Sequence, residues 1–326
     1  MRADDECVKV TVADRLPGEF RDVGLDVNGA RFLLYARKSG VDFVRTATIG
    51  RQRLNLSRDA LSGSFQAFGH AVNEASIDRM LTRNDGYAEA LLTQLGAQDV
   101  HSFDFSAFEG ATHIWDMNRS ITDEAREQYS VVLDGGCLEH VFNFPVAIKN
   151  CMEMLRVGGY YMGITPANNF MGHGFYQFSP ELYFSVFTRE NGFEVVDLIA
   201  FEDEPDATWY VVKNPRDVGC RVESISGVPV YLLVLAKRVA KAAVFESPPQ
   251  QSDYLATWQQ QDGAPAQSQP VAAPATRRTS PLGLLKRAFP EILKRRPRRP
   301  IERVGLEFDP RFFEPFDPIS AERPQK

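Results

Sequence analysis

The sequence predicts an α/β protein, a doubly wound and mostly parallel sheet with helices on both faces, followed by a C-terminal extension of different character. Three observations carry this. Short apolar runs ending at Gly or Asp alternate with helix-period segments between residues 41 and 239. With 326 residues, 44 % hydrophobic and 25 % charged, the chain can bury a sizeable core. Beyond Val244 the composition turns rich in Pro, Gln and Ala, which does not build one.

After an N-terminal lead-in over residues 1–40, Val41–Ile49 (VDFVRTATI) reads as a strand stopped by Gly50. Ile77–Leu95 contains a helix that Gly96 ends. Val100–Phe105 and Ala111–Trp115 read as the next strands, and Tyr129–Leu133 as a strongly β-forming run closed by Asp134-Gly135-Gly136. Val146–Leu155 is an amphipathic helix closed by Gly158-Gly159. Tyr160–Ile164 is a strand expected to stop before Pro166. Pro180–Asn191 is a helix with Ser179 as its N-cap and Gly192 as its stop. Phe193–Phe201 and Val230–Ala236 are the last strands of a domain spanning 41–243. In such sheets ligands bind beyond the carboxyl ends of the strands.

The net charge of −6 is a sum over unlike parts. Arg277–Arg303 carries ten Lys/Arg and two acids, a local net of +8, which leaves −14 for the rest. Residues 244–280 read as a disordered linker and 281–326 as a basic, aromatic and Pro-rich tail. In the tail, Leu285, Phe289, Ile292 and Leu293 would share a helical face that Pro290 interrupts. FDPRFFEPFDP would dock as an extended segment or stay loose. The tail suits an anionic membrane surface, a protein contact or plain solvation, and no specific nucleic-acid partner is expected. No signal peptide or apolar span stands out, and four unpatterned cysteines suit a reducing cytosol, so the expected location is cytoplasmic and at most peripheral to a membrane. Cys137 and Cys151 read as small buried apolar residues. His70, His101 and His113 lack partners at ligand spacing, so no metal site is expected.

The stretch YSVVLDGGCLEHVFNFPVAIKNCMEMLRVGGYYMGITP, Tyr129–Pro166, resembles the class I S-adenosylmethionine-dependent methyltransferases. It has their fourth strand with a trailing acid, a Leu-Glu-His segment, a helix ending in R-x-G-G and a fifth strand. The resemblance implies a seven-stranded Rossmann-like sheet whose last strand runs antiparallel, and S-adenosylmethionine as cofactor. It implies that Asp104, with Phe105 beside it, accepts the ribose hydroxyls, and that Asp116 meets the adenine amine with Met117 as apolar cover. Gly50, Asp134 and Gly135 would lie along the methionine end. One departure is the loop Ile49-Gly50-Arg51-Gln52, which holds a single glycine where the family has several. A second is the 54-residue distance from Gly50 to Asp104, whose surplus, near 54–84, would form a lid or an inert excursion.

His140, beside Glu139, is placed to take a proton from an acceptor or merely to brace its loop, and Glu139 to orient it or cap the next helix. Thr165–Glu181 is dense in polar and aromatic side chains. Asn168, Asn169, Tyr176 and Gln177 offer hydrogen bonds to a small polar acceptor such as a sugar, and His173 is a second candidate base. The alternative is a tightly turned loop that uses these groups itself. Methyl transfer to an O or N atom is the function this implies; the alternative is a degenerate methyltransferase fold that binds or scaffolds without catalysis. Arg51 or Gln52 filling the methionine space would favour the latter.

Overall fold

The run Tyr129–Gly135 is buried at every position, with Val131 and Leu133 in one apolar cluster and Val132 in another. A strand buried on both faces must lie inside a sheet covered on both sides. In the computed structural model, which describes residues 24–254 and 309–321, it is an inner strand of a nine-stranded sheet.

In chain order the elements are β1 (Gly24–Leu25), α1 (Val27–Lys38), β2 (Arg45–Ile49), β3 (Arg53–Leu54), α2 (Arg58–Ala67), α3 (Glu74–Thr82), α4 (Glu89–Gln94), β4 (Asp99–Asp104) and β5 (His113–Ile114). Then follow β6 (Tyr129–Gly135), α5 (Phe144–Met154), β7 (Leu155–Asn168), α6 (Pro180–Val186), β8 (Phe193–Glu202), β9 (Trp209–Val212), α7 (Pro215–Val218), β10 (Val230–Arg238) and β11 (Phe313–Phe316). The large sheet runs β11-β9-β8-β10-β7-β6-β2-β4-β5. Strands β5, β4, β2, β6 and β7 are parallel, and β10 enters antiparallel between β7 and β8. Those seven strands form the sheet that the resemblance implies, including its antiparallel last strand. β9 and β11 extend it to nine rather than seven.

One core packs α5 and α6 on the sheet through Phe144, Ile148, Tyr183 and Phe187. The other packs α1–α4 through Phe32, Leu33, Leu61, Phe65, Ile77, Met80 and Leu91. The lead-in therefore contains a core helix, α1, whose first turn is capped by Asp26 accepting from Gly29 N. The surplus at 54–84 becomes α2 and α3, which bury apolar faces in that same core.

Several boundaries move for local reasons. The helix expected over Ile77–Leu95 breaks at Arg83–Gly86, where Asn84 and Asp85 adopt the left-handed region at φ 55° and 56°. β7 continues through Pro166 to Asn168 because β10 shifts register between Val230 and Tyr231, opposite the proline. α6 ends at Val186, not Asn191, and Ser179 occupies its N-cap position without a side-chain cap bond. From Asp309 onward the FDPRFFEPFDP segment docks: Phe313–Phe316 pairs antiparallel with β9, and Phe312 and Phe313 are buried. The chain also stays packed past Val244, with Ser252 N and Oγ donating to Glu181. The linker from 255 onward, the Ser280–Arg296 face and most of the basic tail lie outside the described residues. No helix among the described residues is long and apolar enough to cross a membrane.

Candidate functional site

Strand register brings the carboxyl ends into one line. Ile49 pairs with Phe103 on β4 and Asp134 on β6, Asp134 with Gly163 on β7, and Asp104 with Ile114 on β5. Gly50, Asp104, Asp116 and Gly135 thus leave the sheet along one edge. Gly50 turns there at φ +70°, donates its N–H to Phe103 O at 2.7 Å, and lies so near Cys137 that a Cβ would collide with Sγ. Only glycine fits this position.

Gln52 occupies the gap between the ends of β2 and β6. It is 1 % exposed, its Nε2 donates to Ile49 O at 2.7 Å, and its amide stands where a Cβ on Gly135 would be. Its Oε1 is buried and accepts no hydrogen bond. Arg51 points elsewhere, pairing with Glu89 at 2.6 Å, donating to Glu109 O at 2.7 Å and lying over the Tyr87 ring. It fastens the loop after β4 to α4.

Asp104 is half-buried and accepts from Ser106 N at 2.9 Å, while Phe105 is 75 % exposed. Asp116 accepts from Asn118 N and Nδ2, which hold its carboxyl below the usual range, and Met117 is buried beside it. Asp134 is wholly buried. Its Oδ1 accepts from Cys137 N and Leu138 N, and Tyr161 Oη donates to Oδ2 at 3.3 Å. Burial, then the nearby Glu139 charge, pushes its pKa up to about 8. In this geometry Asp134 organises the turn after β6.

That turn places Leu138–His140 in a single 3-10 turn. Glu139 is fully buried and His140 exposed. The loop after β7 folds back onto it: Phe175 N and Tyr176 N donate to Glu139 O at 2.8 and 3.2 Å. Gly174, at φ +67°, lies so close to Glu139 that a Cβ would press on its backbone and Cγ. His173 Nε2 reaches Glu139 Oε1 at 3.3 Å, and the rings of His140 and His173 are 5.0 Å apart. The Glu139 hydrogen bond raises the His173 pKa above its usual value. Glu139, His140 and His173 thus converge although the sequence separates the last by 33 residues from its nearest partner; the glycines at 172 and 174 were the only hint of the fold-back.

The other polar side chains of this loop are already engaged, within it and by neighbouring loops. Asn168 Oδ1 accepts from Asn169 N, Asn169 Nδ2 donates to Ser226 O and Val228 O, and Gln177 Oε1 accepts from Phe170 N. Tyr176 Oη donates to Phe142 O at 2.6 Å. Sequence reading also missed Tyr161 as the partner of Asp134, and Cys137, which is only half-buried and stands at 3.5 Å from Gln52 Nε2.

A groove of about 380 Å³ lies elsewhere, on the face of β4 and β5, lined by His101, Phe103, His113, Trp115 and Tyr129 among others. It opens where only a 3-10 turn, Asp123–Ala125, stands between β5 and β6 in place of a crossover helix.

No protein-family model matches the sequence, and no curated protein matches it. Solved structures resemble it distantly. Burkholderia thailandensis 1,6-didemethyltoxoflavin-N1-methyltransferase, with bound 1,6-didemethyltoxoflavin and S-adenosylhomocysteine, is 16 % identical over 66 % of this chain and 78 % of its own, with a TM-score of 0.33. Branched-chain polyamine synthase from Thermus thermophilus, in complex with N4-aminopropylspermidine and 5′-methylthioadenosine, is 12 % identical over 70 % of this chain and 61 % of its own, with a TM-score of 0.34. At such scores these likenesses carry no weight for function; the strand order stands on the sheet itself.

Proposed function

We propose that this protein binds S-adenosylmethionine along the carboxyl edge of β2, β4 and β6 and transfers its methyl group to an O or N atom of a small polar acceptor, a sugar or sugar-containing metabolite. The observation that carries the reading is the sheet order with its antiparallel β10, which sets Gly50, Asp104 and Gly135 on adjacent strand ends at the position where open α/β sheets take ligands. S-adenosylmethionine would supply an electrophilic sulfonium methyl for in-line displacement. The rest falls to this chain. Asp104 holds two ribose hydroxyls, since a carboxylate offers acceptors for both. Asp116, with Met117 and Phe105, holds the adenine, and Gly50 and Gly135 admit the methionine backbone. Glu139 orients His173, and either His173 or His140 takes the acceptor's proton. Asn168, Asn169, Tyr176 and Gln177 face the acceptor only by exchanging the backbone bonds they now make. The basic tail is proposed to contact an anionic membrane surface or a protein.

The residues at the site accept this cofactor on one condition: Gln52 must turn aside. That costs about one buried hydrogen bond, about 1 kcal/mol. Its unpartnered Oε1 is an acceptor that a ligand ammonium would satisfy. The packing of Gln52 and Cys137 against Gly50 and Gly135 favours a second reading, a methyltransferase fold that binds or scaffolds without catalysis. Calorimetric titration of the full chain with S-adenosylmethionine tests the first. Micromolar binding lost in Asp104→Ala supports it; no binding at high micromolar ligand, or binding unchanged in that variant, overturns it.

A further inference from the structure

We infer that Glu139, His140 and His173 form a binding site for a first-row divalent transition-metal ion. One carboxylate oxygen and one nitrogen from each imidazole all lie within 4.8 Å of one another. Ligand atoms on one tetrahedral ion stand about 3.3 Å apart, so the set needs to close by at most about 1.5 Å at its widest. His173 Nε2 already stands 3.3 Å from Glu139 Oε1, and His140 is exposed, so its ring can turn to complete the set. Two imidazoles and a carboxylate suit Zn²⁺, Fe²⁺, Mn²⁺ or Co²⁺ better than Mg²⁺ or Ca²⁺, which prefer all-oxygen shells.

Glu139 supplies the second, independent observation. Its side chain has no solvent exposure, His173 is the hydrogen-bond partner of Oε1, and Oε2 is buried with none. A buried carboxylate oxygen without a donor costs free energy that a cation at this position would offset. The backbone holds it there. Asp134 pins the start of the turn through Cys137 N and Leu138 N, and Phe175 N and Tyr176 N fasten Glu139 O to the loop that carries His173. The carboxylate and one imidazole are therefore set in place before any ion arrives, and only His140 must swing in.

Three protein ligands leave positions free on the ion, open on the exposed side toward a donor atom of a small molecule. The site stands on these three residues and not on S-adenosylmethionine binding. It does bear on the proposed mechanism, because an ion and a proton compete for the same imidazole nitrogens. With the ion bound, neither His140 nor His173 is free to act as a base.

The test uses the full chain, stripped with EDTA and titrated with Co²⁺ by calorimetry and visible absorption, without cofactor or acceptor. One ion per chain is expected, with affinity at least tenfold weaker in His140→Ala, His173→Ala and Glu139→Gln and unchanged in His70→Ala. Because Glu139→Gln could disturb the turn, the exposed His140→Ala is the deciding variant, and its circular dichroism spectrum should match that of the native protein. Absence of one-to-one binding at 100 µM Co²⁺, or equal affinity in native protein and His140→Ala, overturns the inference. Neither result touches the titration with S-adenosylmethionine.

Discussion

The side chain of Gln52 stands directly over Gly135 and closes the gap between the ends of β2 and β6, where the proposed cofactor would lie. What Gln52 gives up by leaving is one hydrogen bond to Ile49 O and a weak contact to Cys137 Sγ. Its Oε1 loses nothing, having no partner.

Removing that side chain therefore separates the two functional readings. If Gln52 turns aside for the cofactor, S-adenosylhomocysteine should bind native protein and Gln52→Ala within about tenfold of each other, the equivalent of about 1.4 kcal/mol. Binding by the variant alone would make the native chain the non-catalytic form, with Gln52 as its plug. Isothermal titration of both proteins distinguishes these outcomes.

His173 owes its raised pKa first to the hydrogen bond with Glu139, against a smaller opposing effect of burial. In metal-free protein, the His173 ring protons followed by NMR should titrate above the ordinary value of about 6.5 and move down in Glu139→Gln. The sign for stability follows. A raised folded-state pKa contributes stability that is complete below about pH 6.5 and is lost as pH rises through the folded value. An unshifted His173 in native protein would show that the contact with Glu139 is not kept in solution.

The sheet was legible because each central strand carries its own signal. Tyr129–Gly135 is apolar on both faces and ends in Asp-Gly-Gly, and Val100–Phe105 carries Asp104 near its end, so the strands and their carboxyl edge could be read locally, while the sheet they join came from the resemblance. β9 and β11 could not. Trp209–Val212 is four residues long, and its partner Phe313–Phe316 lies about a hundred residues away, so neither segment shows what it pairs with. The site was legible as far as single positions go. What escaped is convergence: beyond its glycines, nothing in Thr165–Glu181 shows that the loop returns to Glu139, that Asn169 bonds the backbone at Ser226 and Val228, or that Gln177 bonds the loop's own backbone.

Asp134 should make the fold lose stability as pH rises from about 4 to about 8. Burial, reinforced by Glu139, raises its pKa to about 8, so between the ordinary carboxyl value of 3.8 and about 8 the folded state holds a proton that the unfolded chain releases. Stability then falls as pH rises through that window. Asp134→Asn keeps an oxygen for Cys137 N and Leu138 N and removes the titration. Urea denaturation at pH 5.5 and 8.5 should show a smaller loss of stability in the variant. An equal loss in both proteins would mean that Asp134 does not titrate in this range.

The docked C-terminal segment should hold the sheet edge, not merely decorate it. Phe313 is 4 % exposed, pairs with Val212 and belongs to the core that includes Val212 and Phe193. Lys213 N donates to Phe312 O at 2.8 Å, and Lys38 Nζ donates to Ile319 O, tying the segment to α1 as well. Truncating a buried Phe to Ala costs about 3 kcal/mol or more, which in a domain of this size lowers Tm by roughly 6–12 °C. Glu314, next along the strand, is exposed, and Glu314→Ala should fall within about 0.5 kcal/mol of native. Thermal unfolding followed by circular dichroism compares the three proteins. If Phe313→Ala melts with the native protein, β11 contributes nothing to the edge, and β9 must be stable as an unpaired outer strand.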